Sequence, residues 1–427
     1  MQIFLLIWFG QLVSLMGSGL TSFALGVWIY QHTGSVINFS LIYFFSELPG
    51  IIIAPIAGAI ADRKDRRTLM IFSNIGSGVT SLVIALLMFA GGLKIWHIYL
   101  AITISSTCNG FQQPAYLAAT TLLVPKKHYA RASGMIQVGK AAEQLFSPIV
   151  AGVLVATIQI QGVLLIDFIT FIFALLTLLI FRFPQPPKAS INTADKTSLL
   201  SDSGFGWTYI KKRPGLLIMV IFFAITNFSI GIAQVLLTPM ILSFTDARTL
   251  GVVLSLGGSG WLFGSLAISI WGGPKRRIYG ILGFELLLGM GILMAGLRSN
   301  IVLITMAIFS IFFSVPMIIG CNNAIWQSKV PSNVQGRVFA VRGMISWSTF
   351  PLAYLVAGLL ADRIFQPLLE PNGLLAKSLG LLIGVGAGRG IGLLFMVVGT
   401  LIVLTTIAAY QYPRLWRVED ELPDAIY

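Results

Sequence analysis

The chain has 427 residues, of which 56% are hydrophobic and only 10% charged, and its mean hydropathy is +0.88. An ordinary soluble domain is roughly 25% charged, and no soluble fold of this size could bury so much apolar surface. A soluble enzyme, a secreted disulfide scaffold and a disordered chain are excluded, leaving a polytopic α-helical membrane protein.

Apolar stretches long enough to span a bilayer fall at 3–30, 36–60, 69–90, 96–123, 132–156 and 163–183, then at 216–244, 250–271, 278–296, 301–325, 338–360 and 390–410. The first is too long for a cleaved signal peptide and reads as a membrane helix. Between the two sets of six, Pro184-Gln185-Pro186-Pro187 opens and Lys211-Lys212-Arg213-Pro214 closes a polar gap that reads as a soluble linker. The expected layout is an N-terminal six-helix bundle (1–183), a cytoplasmic linker (184–213), a C-terminal six-helix bundle (214–411) and a cytoplasmic tail (412–427). Cys108 and Cys321 lie within spans and read as small buried hydrophobes.

The net charge of +13, from 28 Lys and Arg against 15 Asp and Glu, would suggest nucleic acid in a soluble protein. Twelve crossings with both termini cytoplasmic place most of these cations inside, around residues 63–67, 126–131, 211–213, 275–277 and 414–417. Only Lys94, Arg248, Arg298, Arg363, Lys377 and Arg389 fall outside. The positive-inside rule thus accounts for the charge, and no nucleic acid is expected as a partner.

The halves repeat. Asp62-Arg63-Lys64-Asp65-Arg66-Arg67 follows the second span and Gly272-Gly273-Pro274-Lys275-Arg276-Arg277 follows the eighth. Val124-Pro125 and Val330-Pro331 stand ahead of Arg131 and Arg337 at matching places. This is a six-helix unit duplicated in parallel. Gly58, one turn before Asp62, removes a side chain so that another helix can approach. Asp62 can offer a carboxylate to a neighbouring helix N-terminus.

The run Gly58-x-x-x-Asp62-Arg63-Lys64-Asp65-Arg66-Arg67 resembles the loop signature G-x-x-x-D-R-x-G-R-R of the major facilitator superfamily, with Asp65 where the family usually has glycine. The resemblance covers essentially the whole chain. It implies an all-α membrane fold of twelve transmembrane helices in two pseudo-symmetric six-helix bundles. Phe111-Gln112-Gln113-Pro114-Ala115-Tyr116, Leu123-Val124-Pro125, the 271–277 loop and Ile383-Gly384-Val385-Gly386-Ala387-Gly388-Arg389-Gly390 resemble the drug and siderophore exporter branch, which includes macrolide efflux proteins and the enterobactin exporter. That implies proton-driven export of an amphipathic small molecule, such as a drug, macrolide, siderophore or peptide natural product. It also implies a monomer in the plasma (inner) membrane, with no cofactor. The fifth span matches the antiporter signature only at Pro148 and Gly152.

In this fold the cavity is lined mainly by spans one, four, seven and ten. Here these carry Gln11, Ser18 and Ser22; Ser106, Asn109, Gln113 and Tyr116; Asn227 and Gln234; and Asn322 and Asn323. Neutral amides and hydroxyls among apolar residues suit cargo held by shape and a few hydrogen bonds, and each also suits a helix–helix contact. Ionisable residues inside spans are costly and are functional candidates. At about 1.5 Å per residue, Glu47 and Glu143 fall near the midplane. Lys140 precedes Glu143 by three residues, a spacing that allows a pair on one helix face. Glu47, Lys140 and Glu143 are therefore the candidates for coupling. Asp167 reads as an interfacial structural residue, and Glu285 and Arg342 as gate or packing residues.

The gating motif is expected to comprise Gly58, Asp62, Arg63, Asp65, Arg66 and Arg67, with Asp62 closing onto the start of the eleventh span near Gly336. Its second-half counterpart is Gly272, Gly273, Lys275, Arg276 and Arg277. The glycine run from Gly384 lacks a preceding strand and reads as a flexible or interfacial lead-in to the last span, not a nucleotide loop. His32, His97 and His128 are scattered, so no metal cluster is expected. A G-x-x-x-x-G-K-[ST] loop is absent. An uptake carrier of the same fold, a channel and a non-transport membrane protein remain as alternatives.

Overall fold

The computed structural model describes residues 2–63, 65–125, 129–181 and 199–421, and these contain helices and no strand. In chain order they are α1 (Gln2–Thr33), α2 (Val36–Arg63), α3 (Arg66–Phe89), α4 (Ile95–Leu123), α5 (Tyr129–Ile180), α6 (Leu199–Lys211), α7 (Pro214–Leu242), α8 (Ala247–Trp271), α9 (Arg277–Leu297), α10 (Ile301–Lys329) and α11 (Ser332–Leu360). The short α12 (Gln366–Leu368) and α13 (Leu379–Ile383) precede α14 (Arg389–Gln411), and the one-turn α15 (Pro413–Trp416) and α16 (Val418–Glu421) follow it. Ten of the described helices are long and apolar enough to cross a membrane. One of them covers both the fifth and the sixth expected spans. The helix α4, 29 residues long, is a further helix of spanning length outside that set.

The sequence placed a short connection between 156 and 163. The break falls within that stretch: α5 is two helices that meet at Gln159, which leaves helical geometry (φ 60°, ψ −179°). That backbone region is adopted almost solely by glycine, so a single strained residue makes the turn between two spans.

The chain forms two compact units, Met1–Ser190 with Thr245–Ser255, and Ile191–Phe244 with Leu256–Tyr427. In the first, α1 packs along α5, and α4 packs against both α2 and α3. Small residues set the approach: a methyl on Gly10 would lie 2.6 Å from the Thr177 hydroxyl, and one on Gly152 would lie 2.8 Å from the Ala247 carbonyl oxygen. Gly152 of the partial antiporter signature is thus a close-packing position. Phe4, Ile7, Met70, Ala115 and Leu178 form a closed apolar core. Asp167, expected at an interface, is instead buried in the core, where the Ser81 hydroxyl donates to its Oδ2 at 2.9 Å.

In the second unit α7 packs against α11, and α9 packs against both α10 and α14. Part of the stretch read as a linker is helical: α6 lies against α7 and α11, while 184–198 falls outside the described residues. The glycine run is pinned rather than flexible. Gly384, Gly386 and Gly388 take positive φ (92°, 114° and 75°). The Gln366 amide donates to the Gly386 carbonyl at 3.1 Å and accepts from the Gly390 N–H at 3.3 Å. Buried Arg389 donates to the Ile383 carbonyl at 2.6 Å. The described part of the tail, up to Glu421, is also held. The Glu419 carboxylate accepts the N–H groups of Arg277 (3.1 Å) and Ile278 (3.0 Å), the unpaired first turn of α9.

Candidate functional site

A cavity of about 760 Å³ opens within the first unit between α1, α2, α4 and α5. Its wall includes Gln11, Ser18, Glu47, Ser106, Asn109, Gln113, Tyr116 and Lys140. Eight of the residues singled out in the sequence as coupling or cavity candidates therefore meet in one place: Gln11, Ser18, Glu47, Ser106, Asn109, Gln113, Tyr116 and Lys140. The helical period explains the convergence. Gln11, Ser14, Leu15 and Ser18 recur at three- and four-residue steps along α1, as do Asn109, Gln113, Tyr116 and Leu117 along α4.

Hydrogen bonds between helices hold the wall. The Ser106 hydroxyl donates to the Ser46 carbonyl at 2.6 Å and accepts from the Gly50 N–H at 3.1 Å, clamping α4 to α2. Gln112 donates to Gln11 Oε1 at 2.6 Å, joining α4 to α1. The sequence reading passed over Gln112 and Ser46, whose only signal was a polar residue beside a chosen one. Trp8, also in the wall, donates to the Met135 carbonyl at 3.0 Å.

Two polar atoms of this wall are buried without a hydrogen-bond partner, the Gln11 amide nitrogen and the Tyr116 hydroxyl. A buried polar group left unmade costs about 1–3 kcal/mol, so each of these atoms is a local cost to the fold while it has no partner. Glu47 and Lys140 are both exposed to the cavity and make no direct ion pair with each other. Glu143 sits to one side. A methyl on Gly19 would come within 2.9 Å of its Cγ, so glycine there makes room for the Glu143 chain against α1. Lys140 and Glu143 share a helix without a direct ion pair.

Other candidates lie elsewhere. Ser22 is exposed on α1, outside the cavity wall. In the second unit the Asn227 amide approaches the Ser346 carbonyl at 3.5 Å, and Gln234 is exposed. The Asn322 amide oxygen is buried without a partner. Asn323 accepts from Arg342 at 3.0 Å, and the Arg342 guanidinium stacks over Trp326 at 5.1 Å. Buried Glu285 has both carboxylate oxygens unpartnered. Among the described residues no group of His, Cys, Asp and Glu could hold a metal ion.

In the 58–67 loop, Lys64 and the side chains of Asp62 and Arg63 lie outside the described residues, as do the surroundings of Gly58 and of Gly336. Asp65 and Arg67 have defined tasks. The Asp65 carboxylate caps α3, accepting from the Thr68 N–H at 3.1 Å and its hydroxyl at 2.6 Å. Arg67 donates to the Leu178 and Leu179 carbonyls at 2.7 and 2.8 Å. Asp65→Ala should cost about 1 kcal/mol of stability, and Asp65→Gly only a few tenths. Thermal unfolding of the purified variants checks this order, and equal losses would remove the capping role. In the second half, Gly272 and Gly273 have φ of 73° and 83°, and Arg276 pairs with Asp420 at 3.3 Å.

The helical fold and a cavity that opens among four of its helices fit a multi-pass membrane transporter. Residues 7–354 match the family model of the Major Facilitator Superfamily, and the chain belongs to that family. Macrolide efflux protein A of Streptococcus pyogenes is 25% identical over 365 residues, 84% of this chain and 90% of that protein. The multidrug efflux pump Tap of Mycolicibacterium fortuitum is 22% identical over 84% of this chain and 89% of the pump. Among solved structures, a bacterial homologue of the human lysosomal transporter Spinster shares the fold with a TM-score of 0.73 at 13% identity, covering 98% of each chain. The nucleoside transporter NupG gives 0.72 at 12% identity over 96% of this chain and all of that one. The expectation of twelve helices in the major facilitator fold therefore holds. The protein is a transporter, not an enzyme.

Proposed function

We propose that the protein is a proton-driven exporter of an amphipathic small molecule, working by alternating access of its six-helix halves (1–183 and 214–411) in the bacterial plasma membrane, as a monomer with both termini cytoplasmic. The single observation that carries the reading is the membrane-depth cavity of the first unit. There, unpartnered donors on Gln11 and Tyr116 stand beside the ionisable Glu47 and Lys140 on a wall that mixes serines and amides with apolar side chains. Such a wall suits a cargo with an apolar body and a few polar groups. The relatives named for macrolide and multidrug efflux support the direction of transport and the cargo class.

The direct test is flux in oriented vesicles with an imposed pH gradient, run against a panel of macrolides and other amphipathic compounds. Uptake into inside-out vesicles, abolished by collapsing the gradient, is the expected result. Transport indifferent to the gradient refutes proton coupling. Tyr116→Phe should weaken cargo binding by about fivefold to tenfold, the value of one hydrogen bond in a dry site. It should raise thermal stability slightly, because it removes a buried hydroxyl that lacks an internal partner.

The 58–67 loop serves as a cytoplasmic gate in this proposal, with Asp62 as its acid. Asp62→Asn should shift the open/closed equilibrium by about fivefold to tenfold, the worth of roughly 1 kcal/mol at a helix terminus. Spin-label distances across the cytoplasmic face read this shift, and an unaltered distribution ends the assignment. The second-half control at 272 is better made with asparagine than alanine, because Gly272 holds a positive φ that asparagine tolerates.

A further inference from the structure

The second unit carries an apolar groove of about 730 Å³, distinct from the polar cavity. Its floor is buried Val220 and Val341, its rim is exposed Ile221 and Met344, Ala224 leaves its middle open, and Trp207 of α6 closes one end. From Leu217 to Phe228 the α7 wall extends about 16 Å at 1.5 Å per residue. That matches the hydrocarbon depth of a single leaflet, half of a core of about 30 Å.

Charge is concentrated at one end of the groove. Lys211, Lys212 and Arg213 sit between Trp207 and Leu217, one helical turn from each of these lining residues. The Arg213 guanidinium is held in place, stacked 3.6 Å over the Tyr209 ring and donating to the Tyr209 carbonyl. Lys211 and Lys212 are exposed and make no direct ion pair with any described acid. Phe205 and Trp207 are exposed aromatics on the same short helix, the residue types that settle at headgroup level.

We propose that this groove is a binding site for an anionic phospholipid of the cytoplasmic leaflet, with an acyl chain between α7 and α11 and the headgroup phosphate at Lys211 and Lys212. The apolar wall alone would accept any acyl chain. The lysines select negative charge, each being worth roughly fivefold in affinity near a membrane surface. The site does not depend on what the protein transports.

Native mass spectrometry of the purified full chain tests the site with phosphatidylglycerol and phosphatidylcholine of identical chains. The wild type should retain phosphatidylglycerol on the order of tenfold more than phosphatidylcholine. Lys211→Gln/Lys212→Gln should bring the two lipids level, whereas Ala224→Trp, which fills the groove, should lose both. Glycerol phosphate without chains should fail to compete. If Ala224→Trp does not fold, Ile221→Ser at the exposed rim serves instead. Equal retention of both lipids by the wild type, or an undiminished preference in the double lysine variant, overturns the proposal.

Discussion

In Glu143→Gln protein, a one-unit pH gradient is expected to leave the cargo at its downhill equilibrium, where a wild type that works as proposed should concentrate it roughly tenfold. One pH unit stores about 1.4 kcal/mol per proton, which one-for-one exchange converts into a factor of ten in cargo concentration. Glutamine preserves the shape of the side chain against Gly19 and removes only the group that can carry a proton. Cargo binding should survive, since the wall proposed to hold it includes Gln11, Glu47, Asn109, Gln113 and Tyr116 and not Glu143. Glu47→Gln should do the reverse, weakening binding of a cargo that bears a cationic group while leaving coupling in place. Parallel measurements of counterflow, which needs binding but no gradient, and of gradient-driven accumulation separate the two carboxylates. Full accumulation by Glu143→Gln removes the residue from the coupling role.

The spans were legible because hydrophobic length is a local property. Each of the twelve stretches coincides with helix, and the cavity face of α4 followed from polar residues at helical spacing in an apolar segment. What the sequence hid depends on long-range partners. Gln159 carries no turn signal, yet it holds a glycine-like backbone geometry because the spans on either side fix the direction of the chain. The Gly384–Gly390 run looked flexible, since nothing nearby announces that Gln366 reaches it across the loop. Asp65 read as a departure from the family loop, but its departure is a helix cap for α3. Glu47, Lys140 and Glu143 were found by their intramembrane charge. That Glu47 and Lys140 face the cavity while Glu143 faces α1 depended on rotation about helices whose ends sequence places only to within a few residues.

The duplicated halves solve one problem in two ways, and this leads to the largest stability effect expected for the second unit. Helices α3 and α9 each start just after a basic loop and each leave unpaired N–H groups at the first turn. In the first half Asp65 caps α3 from the adjacent position. In the second half the adjacent residue is Arg276, whose side chain makes no cap, and the carboxylate comes from Glu419 in the tail. Both carboxylate oxygens are used, one for the Arg277 N–H and one for the Ile278 N–H, at the positive end of the α9 dipole. Hydrogen bonds to a charged group are worth about 1.5–3 kcal/mol, so Glu419→Ala should destabilise the second unit by about 3 kcal/mol. The exposed Arg276–Asp420 pair in the same tail should contribute well under 1 kcal/mol. Asp420→Ala is therefore the matched control: it removes a tail carboxylate but no cap. Lys329 donates to the backbone carbonyl of Glu419 at 2.5 Å and keeps this contact in both variants. Glu419→Gln, retaining one acceptor oxygen without the charge, should fall between alanine and wild type. Thermal unfolding in detergent gives the ranking directly, and a loss in Asp420→Ala as large as in Glu419→Ala would show that the tail acts by its net charge and not by capping α9.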